Sequence, residues 1–338
     1  MQAKERVLKT LKGEAADRIP VLCVNQTATY EQMEQLNAYW PEANHKAEAM
    51  AKLASGAYTI LGFDAVRVPF CQTIEAEALG CTIKDGGKLN LPSIQTHPYK
   101  IGDTPELPND FLERGRIPEL IKAVKILKEM VGDDALVIGG IIGPYSIAGS
   151  LMGVTDILRN SFKKPQLLAS FLEVSQKAGL LLARELIDAG ADAICIEDMM
   201  ASMDLISPKI YRDLVYPWQK KLVESLQDVP TIMHICGKLD AIIEDVANLG
   251  VTAISVEEKV DAPAAVKKLS GYDHCISLIG GINAPSTLYS GSIDKIIEET
   301  RKAVADGYHM IAPGCSVPPA TTISSLRIMV DTVCQNAN

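Results

Sequence analysis

Four segments of the chain share one shape: GFDAVRVPF from Gly62, GADAICIED from Gly190, GVTAISVEE from Gly250 and DGYHMIAPGC from Asp306. Each comes after a helical stretch and carries a glycine near the helix end, where a left-handed residue closes the last turn. Each then runs on apolar almost throughout, which suits a parallel strand buried on both faces. Four more runs complete the set: RIPVLCVNQ (18–26), LVIGGIIGP (136–144), PTIMHICG (230–237) and CISLIGGIN (275–283). Between them lie helical patterns such as PELIKAVKILKEMVG, PQLLASFLEVSQKAGLLLARELIDAG, SPKIYRDLVYPWQKKLVESLQ and SIDKIIEETRKAVADG. Strand then helix, repeated eight times, predicts an α/β chain folded as a (β/α)8 TIM barrel. An open doubly wound sheet is disfavoured, because no glycine-rich nucleotide turn follows the first run.

A barrel needs about 250 residues, and this chain has 338. The surplus is expected as extra N-terminal helices and loops in 1–15, 27–60 and 72–118. No linker or low-complexity segment interrupts the pattern, so 1–338 reads as a single domain. The net charge is −9 with no basic block, so the footprint of a nucleic-acid binder is missing. No apolar run is long enough to span a bilayer, and the opening MQAKERVLKTLKGEAADRIP reads as an amphipathic helix rather than a signal peptide. A cytoplasmic protein is expected. The eight cysteines are scattered without a C-x-x-C pair, as free or metal-bound thiols in a reducing compartment.

Active sites of this barrel lie at the C-terminal ends of the strands. Those ends carry Asn25 and Gln26, Arg67, Gly143 and Tyr145, Glu197 and Asp198, His234 and Cys236, Glu257 and Glu258, Asn283, and Cys315. Residues i and i+2 of a strand share a face, so His234 and Cys236 can both face the barrel axis. Cys315 ends the last run, and the fifth and eighth strands can meet across the mouth. One His and two Cys form a known catalytic zinc set with an open fourth position. Glu257 is placed to fill that position when substrate is absent. The plainer readings stand beside this one. H-x-C can be core packing, Cys315 a packed thiol, and Glu257 a rim carboxylate in an ion pair. His274 and Cys275 precede their strand, at the far end from the site. Cys195 reads as core, and Cys334 lies in the C-terminal tail.

The chain resembles the methylcobamide:coenzyme M methyltransferases, a branch of the uroporphyrinogen decarboxylase superfamily. ERVLKTLKGEAADRIPV resembles the superfamily's opening helix and first strand, and IGGIIGPYSIAGSLMG its third strand and following loop. HICG, followed much later by APGC, resembles the branch's zinc motif and carries ligation onto His234, Cys236 and Cys315. SVEE makes Glu257 the displaceable ligand, with Glu258 the alternative. YWPEA (39–43) and RVPFCQTIEAEALGC resemble methylamine-pathway members more than methanol-pathway ones. The resemblance implies zinc-dependent methyl transfer from a methylated corrinoid protein to coenzyme M, in methylotrophic methanogenesis. The decarboxylases carry an arginine-rich stretch after the first strand. Here that stretch reads VNQTATYEQM, without arginine, so a tetrapyrrole's carboxylates have no evident partners. Three alternatives remain: a decarboxylase-like lyase, a corrinoid methyltransferase acting on homocysteine or tetrahydrofolate, and a non-catalytic zinc barrel. Cofactor and substrate contacts are expected from Asn25, Arg67, Tyr145 and Asn283. Arg67 and Asn283 are candidates for the sulfonate, and Tyr145 and Met199 for flanking the corrinoid or thiol. Equally, Arg67 can pair with Glu197 or Asp198, and Tyr145 can pack the rim.

Overall fold

A computed structural model describes residues 1–336. Its strands are β1 (Ala65–Val68), β2 (Thr82–Lys84), β3 (Ser93–Thr96), β4 (Leu136–Ile142), β5 (Ala193–Glu197), β6 (Thr231–His234), β7 (Ala253–Val256), β8 (Ser277–Ile282) and β9 (Met310–Pro313). Seven of them form one parallel sheet in the order β1-β4-β5-β6-β7-β8-β9. Sequential parallel order requires a crossover between neighbours. The helices Ile117–Val131, Ala169–Asp188, Tyr216–Glu224 and Ile293–Ala305 stand among the connections, where the 3.6-residue pattern predicts them.

The run expected as a first strand over 18–26 is much shorter. Val21 makes a single parallel bridge to Ile311. Leu22 N–H donates to Ile311 O at 3.0 Å and Ile311 N–H to Pro20 O at 2.9 Å, while on the other side Asp64 N–H donates to Val21 O at 2.7 Å. The segment thus joins β9 to β1 and closes the ring. Two local causes keep it short. Pro20 has no N–H to give, and beyond Val24 the chain bends toward the β9 loop, where Val317 N–H donates to Gln26 O at 2.9 Å and Gln26 Nε2 to Val317 O at 2.7 Å. The lower end is pinned by Asp64, 1% exposed, whose carboxylate accepts from Arg6, Arg18 and Val21 N–H. The surplus after β1 also differs from the expected helices and loops, for it contains the antiparallel hairpin β2–β3.

Side-chain alternation divides the apolar residues into two cores. One lies between strands and helices. The other fills the barrel with Leu22, Val24, Ala65, Ile138, Cys195, Ile232, Ala253, Ile279 and Ala312, and is plugged from below by Val7 and Leu11 of the helix Ala3–Leu11. In the ladders Cys195 is level with Ile232, and Ile232 with Ala253. Two residues further on, Glu197 is level with His234 and His234 with Ser255. A polar layer therefore lies directly on the apolar plug, and the chemistry starts there.

Candidate metal centre

His234 is the last residue of β6 and is fully buried, whereas Cys236 and Cys315 are partly exposed. Their ligand atoms all lie within 4.8 Å of one another. Cys236 Sγ is 3.4 Å from His234 Nε2 and 4.0 Å from Cys315 Sγ. Tetrahedral zinc, with bonds of about 2.3 Å to sulfur and about 2.05 Å to nitrogen, would set ligand spacings of about 3.8 Å between sulfurs and about 3.6 Å between sulfur and nitrogen. The donor set and its spacing fit. Cys315 arrives because Pro313 closes β9 and Gly314 follows, where a Cβ would come within 3.0 Å of Glu257 Cα. The hydrogen bond from Cys236 and the nearby His234 imidazole push the Cys315 thiol down to about 5, against the effect of burial. The hydrogen bond to Cys315, then burial, push Cys236 well above the usual thiol range. Thiolate is the metal-binding form.

Ser255, one layer below the mouth on β7, has its hydroxyl 3.0 Å from His234 Nδ1. Sequence reasoning missed it. Its only signal was a lone hydroxyl in an apolar run, two residues before Glu257. Glu257 itself pairs with Lys259 Nζ at 2.9 Å and lies outside the three-residue group, although its charge acts on Cys236. Glu258 Oε1 accepts from Asn283 Nδ2 at 2.6 Å. Asn283 Oδ1 caps the next helical turns through Ser286 N–H at 2.7 Å, so this side chain is anchored at the rim through both of its amide atoms.

Arg67 is buried and ion-paired with Glu197, whose second oxygen accepts from Gln72 Nε2 at 2.5 Å. The pair passes over β4 at Gly140, where a Cβ would come 2.6 Å from Arg67 Cζ. Gly140 is the residue that lets the guanidinium cross. Gln72 and Gly140 were not legible as site residues, because each acts only through this long-range pair. Asp198 turns the other way. It accepts from Ser146 N–H and Oγ, Tyr145 N–H and Gln219 Nε2, over the start of the helix Pro144–Met152. Tyr145 is buried with its hydroxyl 2.8 Å from Ser161 Oγ, in helix packing rather than at the mouth. Asn25 is 1% exposed, and neither of its amide atoms has a partner among the described residues. Cys195 is in the barrel plug, and Cys275 lies at the opposite end beside Thr10.

Glu75 lies behind the Arg67–Glu197 pair and accepts from Ile142 N–H at 2.7 Å. Burial pushes its carboxyl up to about 7. A carboxyl raised in the folded state contributes fully below its unfolded pKa and costs stability as the pH rises through about 7. Glu75→Gln keeps the acceptor and removes that cost. Urea unfolding at pH 5 and pH 8 is expected to show near-equal stability at pH 5 and a gain of about 2–3 kcal/mol for Glu75→Gln at pH 8.

The uroporphyrinogen decarboxylase (URO-D) family model matches residues 2–335. The chain belongs to that family. Within URO-D it is 41% identical over 328 residues to the methylcobamide:CoM methyltransferase MtaA of Methanosarcina barkeri, covering 97% of this chain and 96% of that protein. It is 36% identical over 331 residues to the methylcobamide:CoM methyltransferase MtbA of Methanosarcina mazei, with coverage of 97% and 96%. A solved structure of a methyltransferase from Methanosarcina mazei matches with a TM-score of 0.95 at 37% identity, over 100% of both chains. The chain thus falls in the methyltransferase branch of URO-D and is a methyltransferase. No helix among the described residues is long and apolar enough to cross a membrane.

Proposed function

We propose that this URO-D chain transfers a methyl group from a methylated corrinoid, delivered by a partner protein, to the thiol of coenzyme M, at a zinc ion held by His234, Cys236 and Cys315. The observation that carries the reading is one imidazole and two thiols converging at the barrel mouth, in a chain so similar to methylcobamide:CoM methyltransferases. Zinc supplies the means of holding the acceptor as a thiolate at neutral pH. The chain's own residues set how reactive that sulfur is. Two thiolates and a neutral imidazole cancel a divalent charge, so an acceptor sulfur beside them keeps its electron density. In the overall transfer the acceptor thiol releases its proton to solvent, the sulfur–carbon bond forms, the cobalt–carbon bond breaks, and its electron pair stays on cobalt. Glu257, paired with Lys259 beside the site, is the carboxylate that would complete the metal's donor set in the absence of the acceptor thiol. The unpaired amide of Asn25 and the unpaired Nε–H of Arg67 are polar groups left for the acceptor's sulfonate. The donor is a methylated corrinoid protein of methylotrophic methanogenesis. The stretches 39–43 and 67–81 favour the methylamine branch of that pathway.

A decarboxylase reading is weaker, since Arg67, the arginine at this mouth, is already paired with Glu197. The deciding experiment supplies free methylcobalamin and scans coenzyme M, homocysteine and tetrahydrofolate as acceptors. Methylation of coenzyme M at a rate at least tenfold above the other two is expected. Equal or faster turnover with homocysteine or tetrahydrofolate would replace the acceptor, and no turnover with any of them would sink methyl transfer at this site.

A further inference from the structure

We infer that Ser255 is a positioning residue for the metal centre, acting as the hydroxyl that orients His234 and fixes which imidazole nitrogen faces the two thiols. This inference rests on the zinc reading above. His234 and Ser255 are level in the β6–β7 ladder and both are fully buried. The ring is held at two points, Nδ1 at 3.0 Å from Ser255 Oγ and Nε2 at 3.4 Å from Cys236 Sγ. Nε2 is therefore the ligand atom, and Nδ1 must carry the ring proton and donate it to Ser255 Oγ when a metal is bound. A ligand histidine whose other nitrogen is held in this way keeps its orientation and tautomer.

A carboxylate was available for the task and is kept from it. Glu197 is level with His234 on the other side, in β5. One of its oxygens is taken by Arg67 and the other by Gln72. The imidazole is left with a neutral partner. In a centre that already holds two thiolates and has Glu257 nearby, a second carboxylate on the ring would add negative charge. The hydroxyl orients the ring without adding any. It can also turn its own proton toward Nδ1 when Nε2 carries the hydrogen, which a carboxylate cannot do. The buried ring nitrogen thus has a partner in either tautomer, with or without metal.

The test is zinc affinity, measured by competition with a chromophoric chelator, in wild type, Ser255→Ala and Ser255→Thr. Wild type is expected to bind one zinc per chain. Ser255→Ala is expected to bind it about 10–100-fold more weakly, and to show a lower urea midpoint in the metal-free protein because Nδ1 is left without a partner. Ser255→Thr keeps the hydroxyl and should recover most of the affinity. The absorption spectrum of the cobalt-substituted protein should shift in Ser255→Ala and return in Ser255→Thr, which simple loss of packing would not produce. Wild-type affinity in Ser255→Ala, or no recovery in Ser255→Thr, overturns the role of the hydroxyl while leaving the zinc site standing. A wild type that binds no zinc overturns the metal reading itself, and this inference with it.

Discussion

Cys236→Ala and Cys315→Ala are each expected to lose nearly all bound zinc at micromolar protein, and methyl transfer with it. Structural zinc binding in small Cys/His sites is worth about 10–16 kcal/mol, and one thiolate is a large share of any three-residue donor set. Cys236→Ala also removes the hydrogen bond that eases the ionisation of Cys315. Cys195→Ala is the control. It lies in the barrel plug beneath the site and should keep one zinc per chain. X-ray absorption extends the test to the fourth position. Two sulfurs per zinc are expected at rest and three after coenzyme M is added. A count that stays at two would remove the acceptor from the metal, and full zinc in both cysteine variants would show that the ligands are other residues.

Breaking the Arg67–Glu197 pair has the second largest effect. Both side chains are 1% exposed, so Glu197→Ala leaves a buried guanidinium without a counter-charge, and Arg67→Met leaves a buried carboxylate. Each single change is expected to cost about 3–5 kcal/mol in urea unfolding. The double variant Arg67→Met/Glu197→Met should cost clearly less than the sum, because it leaves no orphaned charge. Gly140→Ala should reproduce part of the loss, since a Cβ there would overlap the guanidinium where it crosses β4. Additive single losses, or a neutral Gly140→Ala, would mean that the two side chains are not coupled as the geometry requires. These variants also bear on the metal centre, because Glu197 is level with His234. A freed carboxylate could reach the imidazole in place of Ser255.

The amino-acid sequence by itself determined the order of the barrel strands and the identity of the candidate ligands. Both are local properties. An apolar run between a helix end and a polar residue is recognisable within about ten residues, and the two-residue period of a strand places His234 and Cys236 on one face. Cys315 needed one further step, that strand ends of a barrel share a mouth. Only the tertiary structure decided the rest. The first strand shrank to the bridge at Val21, because Pro20 withholds a donor and Gln26 bonds to Val317, 291 positions away. Arg67 went to Glu197 and Tyr145 to Ser161, and Ser255 took the imidazole. Each of these depends on which residues lie level in neighbouring strands or helices. That register is set by closure of the whole ring, through backbone ladders between strands whose paired residues are 21 to 71 positions apart and the bridge from Val21 to Ile311. No local pattern encodes it, so the sequence names the chemical groups and the closed barrel assigns their partners.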